Sequence, residues 1–586
     1  MIIALLASLL APAESSTVIR VNQVGYLPGA PKVAVACSLD SARIATFEVR
    51  DERGRVVYGP RRAERAPGFG PCVVTHRLDF TPLRRPGRYR IVAGELSSPS
   101  VRIGARVYDG GADTLLYYMR QQRSGWNPLS RDSVHTRDGI IVDSPRAGQP
   151  IAVSGGWADA SDYLQYVTTS ANAAFVMLMA HRDHPGAFAD RFQANGTEGA
   201  NGIADVLDEA RHGLEWLSRM FPREGEMYNQ LADDRDHSFF DLPANDSSDY
   251  GWGKGRERPV YPCTGRPQGL FQNRNRSTGL ASTAGKYASA FALGAKLFET
   301  RDSAFAATLR RKADVAYRLG RNNPGVCQTA PARSPYFYEE DNWADDMELG
   351  AAVLSNVSGN RALLTEAIAY AAMEPVTPWM GADTANHYQW FPWHNNGHYE
   401  IWRTARARGD VATQKRMADY YRRGLEAVVG RAENGFRIGV PFIWCSNNLM
   451  TSFATQAMLY RRMTGDQRFR SHEQAAIDWL FGANPWGVSM VIGYPNGGVT
   501  ARDPHSAVSA KMGVDKLLGG LLDGPVYRSI YSNLKGIALH QPDEYARFNT
   551  GRMVYHDDLG DYSTNEPIMD GTASLVYLLS GLAETR

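Results

Sequence analysis

Two short stretches carry the residue types needed for acid–base chemistry. Gly155-Gly156-Trp157-Ala158-Asp159-Ala160-Ser161-Asp162-Tyr163 places two carboxylates three residues apart, behind a glycine pair and an indole. If a helix begins there, residues at i and i+3 share a face and both carboxylates point into one cavity. One could hold a water while its neighbour takes the proton. About 400 residues later, the acid-rich run from Asp557 through Asp558 and Asp561 ends at Glu566-Pro567, and Glu566 is a candidate proton donor. Each stretch also has a plainer reading. Aspartates in a first helical turn suit the helix dipole with no further role, and Ser563-x-x-Glu566 has the spacing of a capping box. A cation held by Asp159 and Asp162 would need further ligands that the sequence does not place.

The elements that must bring these stretches together change character along the chain. Residues 17–104 read as all-β: short runs such as Thr17–Val21, Val33–Ala36, Thr46–Val49 and Arg88–Val92 alternate with turn signals at Leu27-Pro28-Gly29, Asp51–Gly54 and Pro86-Gly87. About seven strands at this spacing predict a small sandwich of immunoglobulin-like size, without the Cys-Trp-Cys pattern of true immunoglobulin domains. From 105 to 586 the period becomes helical. Val206, Ala210, Leu214 and Leu217 form one apolar stripe, and similar runs at 164–181, 281–300, 304–319, 345–356, 361–373, 410–429, 448–464, 471–482 and 569–583 give about ten helices. The long intervening loops 223–280, 374–400 and 484–510 are rich in Gly, Pro, Asn and aromatics, which marks them as functional. Many helices of a dozen residues predict paired helices closing into an α/α barrel.

Composition bounds the rest. The chain has 586 residues, too many for one ordinary domain. Its 64 basic against 62 acidic residues leave a net charge of +2, no footprint for nucleic acid or an anionic membrane. An apolar run ending in Ala11-Pro12-Ala13 fits a signal peptide over residues 1–16, although no Lys or Arg precedes it; a disordered tail or a misplaced start is the alternative. No later run has the roughly 18–20 uninterrupted apolar residues of a spanning helix. The expected location is secreted or periplasmic. Cys37 with Cys72, or Cys263 with Cys327, could pair in an oxidising compartment or stay as buried thiols. No CxxC or CxxH cluster supports a structural zinc.

Together the motifs are specific. Gly-Gly-Trp-x-Asp-Ala-x-Asp-Tyr at 155–163 and Asp-Tyr-x-Thr-Asn-Glu at 561–566 resemble the two signatures of glycoside hydrolase family 9, the inverting cellulases. Val21-Asn22-Gln23-Val24-Gly25-Tyr26-Leu27-Pro28 resembles the opening of the immunoglobulin-like module that precedes many of them. Ala204–Glu209, Trp343–Glu348, Trp444–Asn448 and Phe481–Pro485 fall in the family's order, so the resemblance covers nearly the whole chain. It implies an (α/α)6-barrel catalytic domain over 105–586 behind the sandwich. By residue, it implies Asp162 as general base, Asp159 as its partner in holding water and Glu566 as general acid. Inversion needs the two carboxyl functions roughly 6.5–9.5 Å apart, and an acid still protonated near neutral pH through burial or nearby negative charge, for which Asp557, Asp558 and Asp561 are candidates.

One departure bears on specificity. The family usually carries His-x-Arg where this chain reads Asp503-Pro504-His505-Ser506-Ala507. His505 matches the histidine that contacts the sugar beside the cleaved bond, but the arginine that would fork two sugar hydroxyls is absent. Trp157, Trp343, Trp390, Trp393, Trp444, Tyr388 and Tyr555 are candidate platforms for sugar rings, with Trp393 and Trp444 favoured by loop-like surroundings. Asp345 and Asp346 resemble a calcium site of several family members, although a hard cation wants more oxygens than two acids supply. The expectation is a monomeric endo-acting β-1,4-glucanase without organic cofactor. The competitors are an exo-acting enzyme of the same fold, releasing glucose, cellobiose or glucosamine, and a carbohydrate-binding protein without catalysis.

Overall fold

The computed structural model describes residues 15–335, 337–382 and 389–585, so nearly all of the expected 1–16 leader and the candidate platform Tyr388 lie outside the described residues. Nine strands form the N-terminal unit. Thr17–Arg20, Val33–Ser38, Val74–Asp79 and Glu64–Ala66 make one sheet; Val56–Arg62, Thr46–Asp51, Gly87–Ala93 and Leu96–Ser97 make the other, with Val101–Ile103 paired to Gly87–Ala93. Ile19, Ala34 and Leu78 of the first sheet share a core with Phe47, Val49, Tyr89 and Ile91 of the second, as alternating inward side chains require. The sandwich seats on the helical unit through Asn22, whose amide donates to Asp478 Oδ1 at 2.9 Å, and Gln23 N, which donates to Phe481 O at 2.9 Å.

Among the described residues twelve helices have 11 residues or more. Val167–Asp183 packs on Ala281–Phe298, that on Ala344–Ser358, and that on Asn396–Ala407; Ser446–Thr464 packs on Met569–Glu584, which returns to Val167–Asp183. These six are buried over most of their length, as helices walled on all sides must be. Each carries a partner on its outside: Asp205–Met220, Ser303–Asn322, Arg361–Met373, Val411–Val429, Arg470–Leu480 and Gly111–Gln121. Ser303–Asn322, Arg361–Met373 and Val411–Val429 show one buried stripe, and six inner with six outer helices make the (α/α)6 arrangement.

Two of the twelve escape the sequence pattern. Gly111–Gln121 opens on glycine. Asn396–Ala407 mixes His398 and Glu400 into its buried face, where they pair with Glu348 at 2.7 Å and Arg182 at 2.7 Å, so no apolar period shows. The loops hold structure of their own: Ile140–Ile141, Pro259–Pro262, Tyr228–Leu231 and Gln165–Tyr166 form a small sheet, and Ala507–Met512 is helical. Cys37–Cys72 and Cys263–Cys327 are disulfides, the second tying the 223–280 loop to the loop before Ala344. Cys445 takes no part in either and is buried.

Candidate active site

The catalytic-type aspartates stand on a turn, not on the helix their spacing suggests. The helix starts only at Val167, and Asp159 N donates to Leu164 O at 2.9 Å, closing a bend that carries both carboxylates. Gly156 has φ 78°, and a Cβ there would stand 2.6 Å from the Trp216 ring, so only glycine lets the chain enter the bend. Fully buried Arg258 holds the far side: it pairs with Asp138 at 2.7 Å and donates to Tyr163 O and Gln165 Oε1.

Glu566 also lies outside a capping box. It precedes the strand Pro567–Ile568, which pairs with Leu521–Leu522. Ser563 donates instead to Asp561 Oδ1 at 2.7 Å, and Thr564 and His556 bind Asp561 Oδ2 at 2.8 and 2.7 Å. These bonds hold the Asp561 carboxyl below its usual range against the effect of burial. Asp558 likewise accepts from the backbone of His540, Gln541 and Gly560. Both acids anchor the loop.

The two stretches are stitched together. Ser161 donates from its backbone N at 2.9 Å and from its hydroxyl to Glu566 Oε1, and Met569 N donates to Asp159 O at 2.9 Å. Asp159 accepts from Thr169 Oγ1 and Tyr338 OH, both at 2.5 Å. Burial pushes its carboxyl up to about 6, against those two hydrogen bonds and with help from the charge of Glu566. Asp162 keeps 22% of its side chain exposed and faces His237 Nε2 at 3.4 Å. Burial raises its pKa well above the ordinary value, as do Asp236, Glu566 and Asp159, while His237 opposes them. Burial alone would lower His237, but its bond to Asp236 and the charge of Asp162 outweigh that and push it up to about 10. Water screens part of this pull on a ring 44% exposed; the direction is an imidazolium beside Asp162 at neutral pH. Behind Glu566, buried Asp523 takes a hydrogen bond from Cys445 Sγ at 3.3 Å. Ser161, Thr169, Tyr338 and His237 are absent from the sequence-derived site. Ser161 lies within the 155–163 stretch itself and His237 in the acidic, aromatic run 233–241; Thr169 and Tyr338 had no local signal.

The aromatic candidates divide by burial. Trp157, 0% exposed, donates Nε1 to Glu209 Oε1 at 2.8 Å and lies where a Cβ on Gly213 would clash; it is core, not a platform. Trp393 is buried, its carbonyl taken by Ser452 Oγ at 2.7 Å and Gln456 Nε2 at 3.0 Å. Tyr555 is buried beside Trp486 with its hydroxyl 3.2 Å from Asn565 Oδ1, supporting the acid's loop from behind. Trp343 is half-buried edge-on to Tyr370. Trp444 is half-buried and stacks on Tyr562, with centroids 5.8 Å apart. Tyr562 meets His505, and His505 meets Phe240. His505 is tied to the acid's loop: its N donates to Asn565 O at 3.0 Å and its Nδ1 to Leu559 O at 2.5 Å. Ala507, where an arginine was expected, is buried at the start of Ala507–Met512.

The calcium expectation at Asp345 and Asp346 does not fit. A cation of the chain's own stands there: Lys286 Nζ, buried, is 2.6 Å from Asp346 Oδ2 and 3.0 Å from Glu340 Oε1. Asp345, whose Oδ1 is buried without a hydrogen-bond partner, has the same ammonium as its neutralising charge. Among the described residues no group of three or more Asp, Glu, His or Cys side chains is arranged to hold a metal.

Known proteins place this arrangement. Endoglucanase C of Cellulomonas fimi is 28% identical over 97% of the chain, which spans about half (52%) of that relative's length. Cellodextrinase of Butyrivibrio fibrisolvens is 23% identical, with 97% of this chain and 100% of the relative covered. The crystal structure of a metagenome-derived glycoside hydrolase family 9 endoglucanase superposes with a TM-score of 0.74 at 27% identity, covering 97% and 99% of the two chains. Residues 14–98 match the cellulase N-terminal ig-like domain. The acids of 155–163 and 561–566, interlocked at the inner ends of Val167–Asp183 and Met569–Glu584, fall within a match to glycosyl hydrolase family 9 that runs over residues 108–579, and the chain belongs to that family.

Proposed function

We propose that the chain hydrolyses β-1,4-glucosidic bonds within glucan chains in one inverting step. The observation that carries this reading is the pair of bonds from Ser161 to Glu566 Oε1, which sets the acid beside the base stretch. Oε1 is spent on accepting them, so the proton to be given away sits on Oε2. Water held between Asp159 and Asp162 loses its proton to Asp162 as its oxygen bonds the anomeric carbon. The bond to the leaving oxygen breaks, and that oxygen takes the proton of Glu566. A raised Asp162 is a stronger proton acceptor once ionised, and the His237 imidazolium keeps the ionised form within reach. The reaction calls on no organic cofactor.

The names of the similar proteins, an endoglucanase and a cellodextrinase, frame the choice between internal and terminal cleavage. On soluble β-glucan, viscosity should fall well before reducing ends accumulate, and proton NMR should show the α-anomer first. Steady release of monomer or dimer at constant viscosity establishes the exo-acting reading; binding without hydrolysis establishes the non-catalytic one. We further infer export and action as a monomer, supported for export by two disulfides that need an oxidising compartment.

Tyr338→Phe removes one of the two hydroxyl donors to Asp159. A hydrogen bond to a charged group contributes about 1.5–3 kcal/mol, so kcat should drop roughly ten- to hundred-fold. The bond lowers the Asp159 pKa, so its loss should move the acidic limb of the kcat profile to higher pH. A variant with lower kcat on an unmoved profile would show that Tyr338 does not act through Asp159.

A further inference from the structure

The segment Asp233–Asp246 forms a strap over the reacting carboxylates, rooted at both ends. At one root Asp233 pairs with Arg235 at 2.6 Å and accepts from Tyr261 OH at 2.5 Å; at the other Asp246 meets His135 Nε2 at 3.0 Å. Between the roots the strap gives His237 to Asp162, and Asp236 Oδ2 accepts from Tyr163 N at 3.3 Å. Its tip reaches the opposite side. The Phe240 ring lies 5.2 Å from the His505 ring, and Asp241 Oδ1 is 2.6 Å from Lys511 Nζ, while Asp241 O accepts from Tyr163 OH. Contacts thus run in a closed circuit: Asp162 to His237, along the chain to Phe240, across to His505, through Asn565 to Glu566, and through Ser161 back to Asp162.

We propose that this strap sets the length of glucan that reaches the carboxylates, with Phe240 and the Asp241–Lys511 ion pair as its latch. Latched, the circuit admits a chain end or a short oligosaccharide; an interior segment of a long chain enters only when the tip lifts. The latch is built to open. Its ion pair joins side chains that are 29% and 43% exposed, and such pairs hold weakly and are screened by salt. Phe240 is 44% exposed, so its ring contact with His505, the surface ion pair and the Tyr163 hydroxyl on Asp241 O are what oppose lifting.

The proposal rests on the β-glucan reading, and its test has one arm that does not. Lys511→Ala and Asp241→Asn are compared with the parent on neutral barley β-glucan and on cellotetraose. The ratio of kcat/KM for polymer to that for tetraose should rise about five-fold or more in both variants, and in the parent it should rise with added salt. An unchanged ratio in both variants overturns the role in substrate length. Independently of any substrate, deuterium uptake by residues 236–242 should rise in Lys511→Ala; uptake equal to the parent's overturns the latch. A parent that cleaves neither sugar, together with raised uptake in Lys511→Ala, sinks the β-glucan reading and leaves the latch standing.

Discussion

Glu566→Gln should lower hydrolysis of β-glucan by about 10²–10⁴-fold, the usual contribution of a positioned general acid, while the fold survives. The amide is isosteric, and its carbonyl oxygen can still accept from Ser161 N and Oγ, the bonds that join the two halves of the site. What it lacks is a proton to give. The loss should therefore depend on the leaving group: large for cellotetraose, whose departing alkoxide needs the proton, and small for an aryl cellobioside whose phenolate leaves unaided. Asp162→Asn should be crippled on both, because the attacking water needs its base whatever leaves. Parallel kinetics on the two substrates check this. Equal losses for both in Glu566→Gln would reassign the residue from acid to a binding or structural group, and parental rates would remove it from the mechanism.

The acids of this site were legible because each lies in a short stretch whose composition is odd for a plain element. Two glycines and a tryptophan precede Asp159, and an acidic run leads to Glu566. Their supports were not, since Tyr338 reaches Asp159 across 179 positions and His237 reaches Asp162 across 75. No local period encodes such pairs. The aromatics failed for a different reason: residue type says little about exposure. Trp157 becomes core because Gly213 leaves room for its ring, and Trp393 because its ring packs edge-on against Phe391, with centroids 5.1 Å apart. The barrel was visible as helical runs over five of the inner and five of the outer helices. It was weaker where inner helices such as Asn396–Ala407 bury paired charges that break the apolar period. A spacing of three placed Asp159 and Asp162 on one side, yet a bend closed by Asp159 N and Leu164 O does this, not a helix.

Lys286→Met should cost about 3–5 kcal/mol of stability, the penalty for removing one partner of a buried ion pair. Burial alone would lower the ammonium's pKa, but Asp346, Glu340 and Asp345 outweigh it and raise it above 10.5. A lysine raised in the fold contributes fully below its unfolded value, so the whole contribution is present at neutral pH and fades only in strong alkali. In the variant Asp345 and Asp346, already raised by burial, lose the charge that opposes this and hold protons more tightly than in the unfolded chain. Stability lost this way grows as pH rises above about 4 and eases on acidification. Thermal melts at pH 5 and pH 8 should therefore show the larger deficit at pH 8. Activity should fall as well, because Glu340, held by Lys286 and Thr168, lies two residues from Tyr338, the donor to Asp159. The same geometry assigns to a lysine the place where calcium was expected. Chelator and added Ca²⁺ should each leave the parent's Tm unchanged, whereas Lys286→Ala, with the ammonium gone and space opened among the carboxylates, should regain stability with Ca²⁺. A parent whose Tm drops several degrees in chelator holds a metal among these acids after all, and a Lys286→Met variant as stable as the parent at pH 8 would show that the ammonium is not what neutralises them.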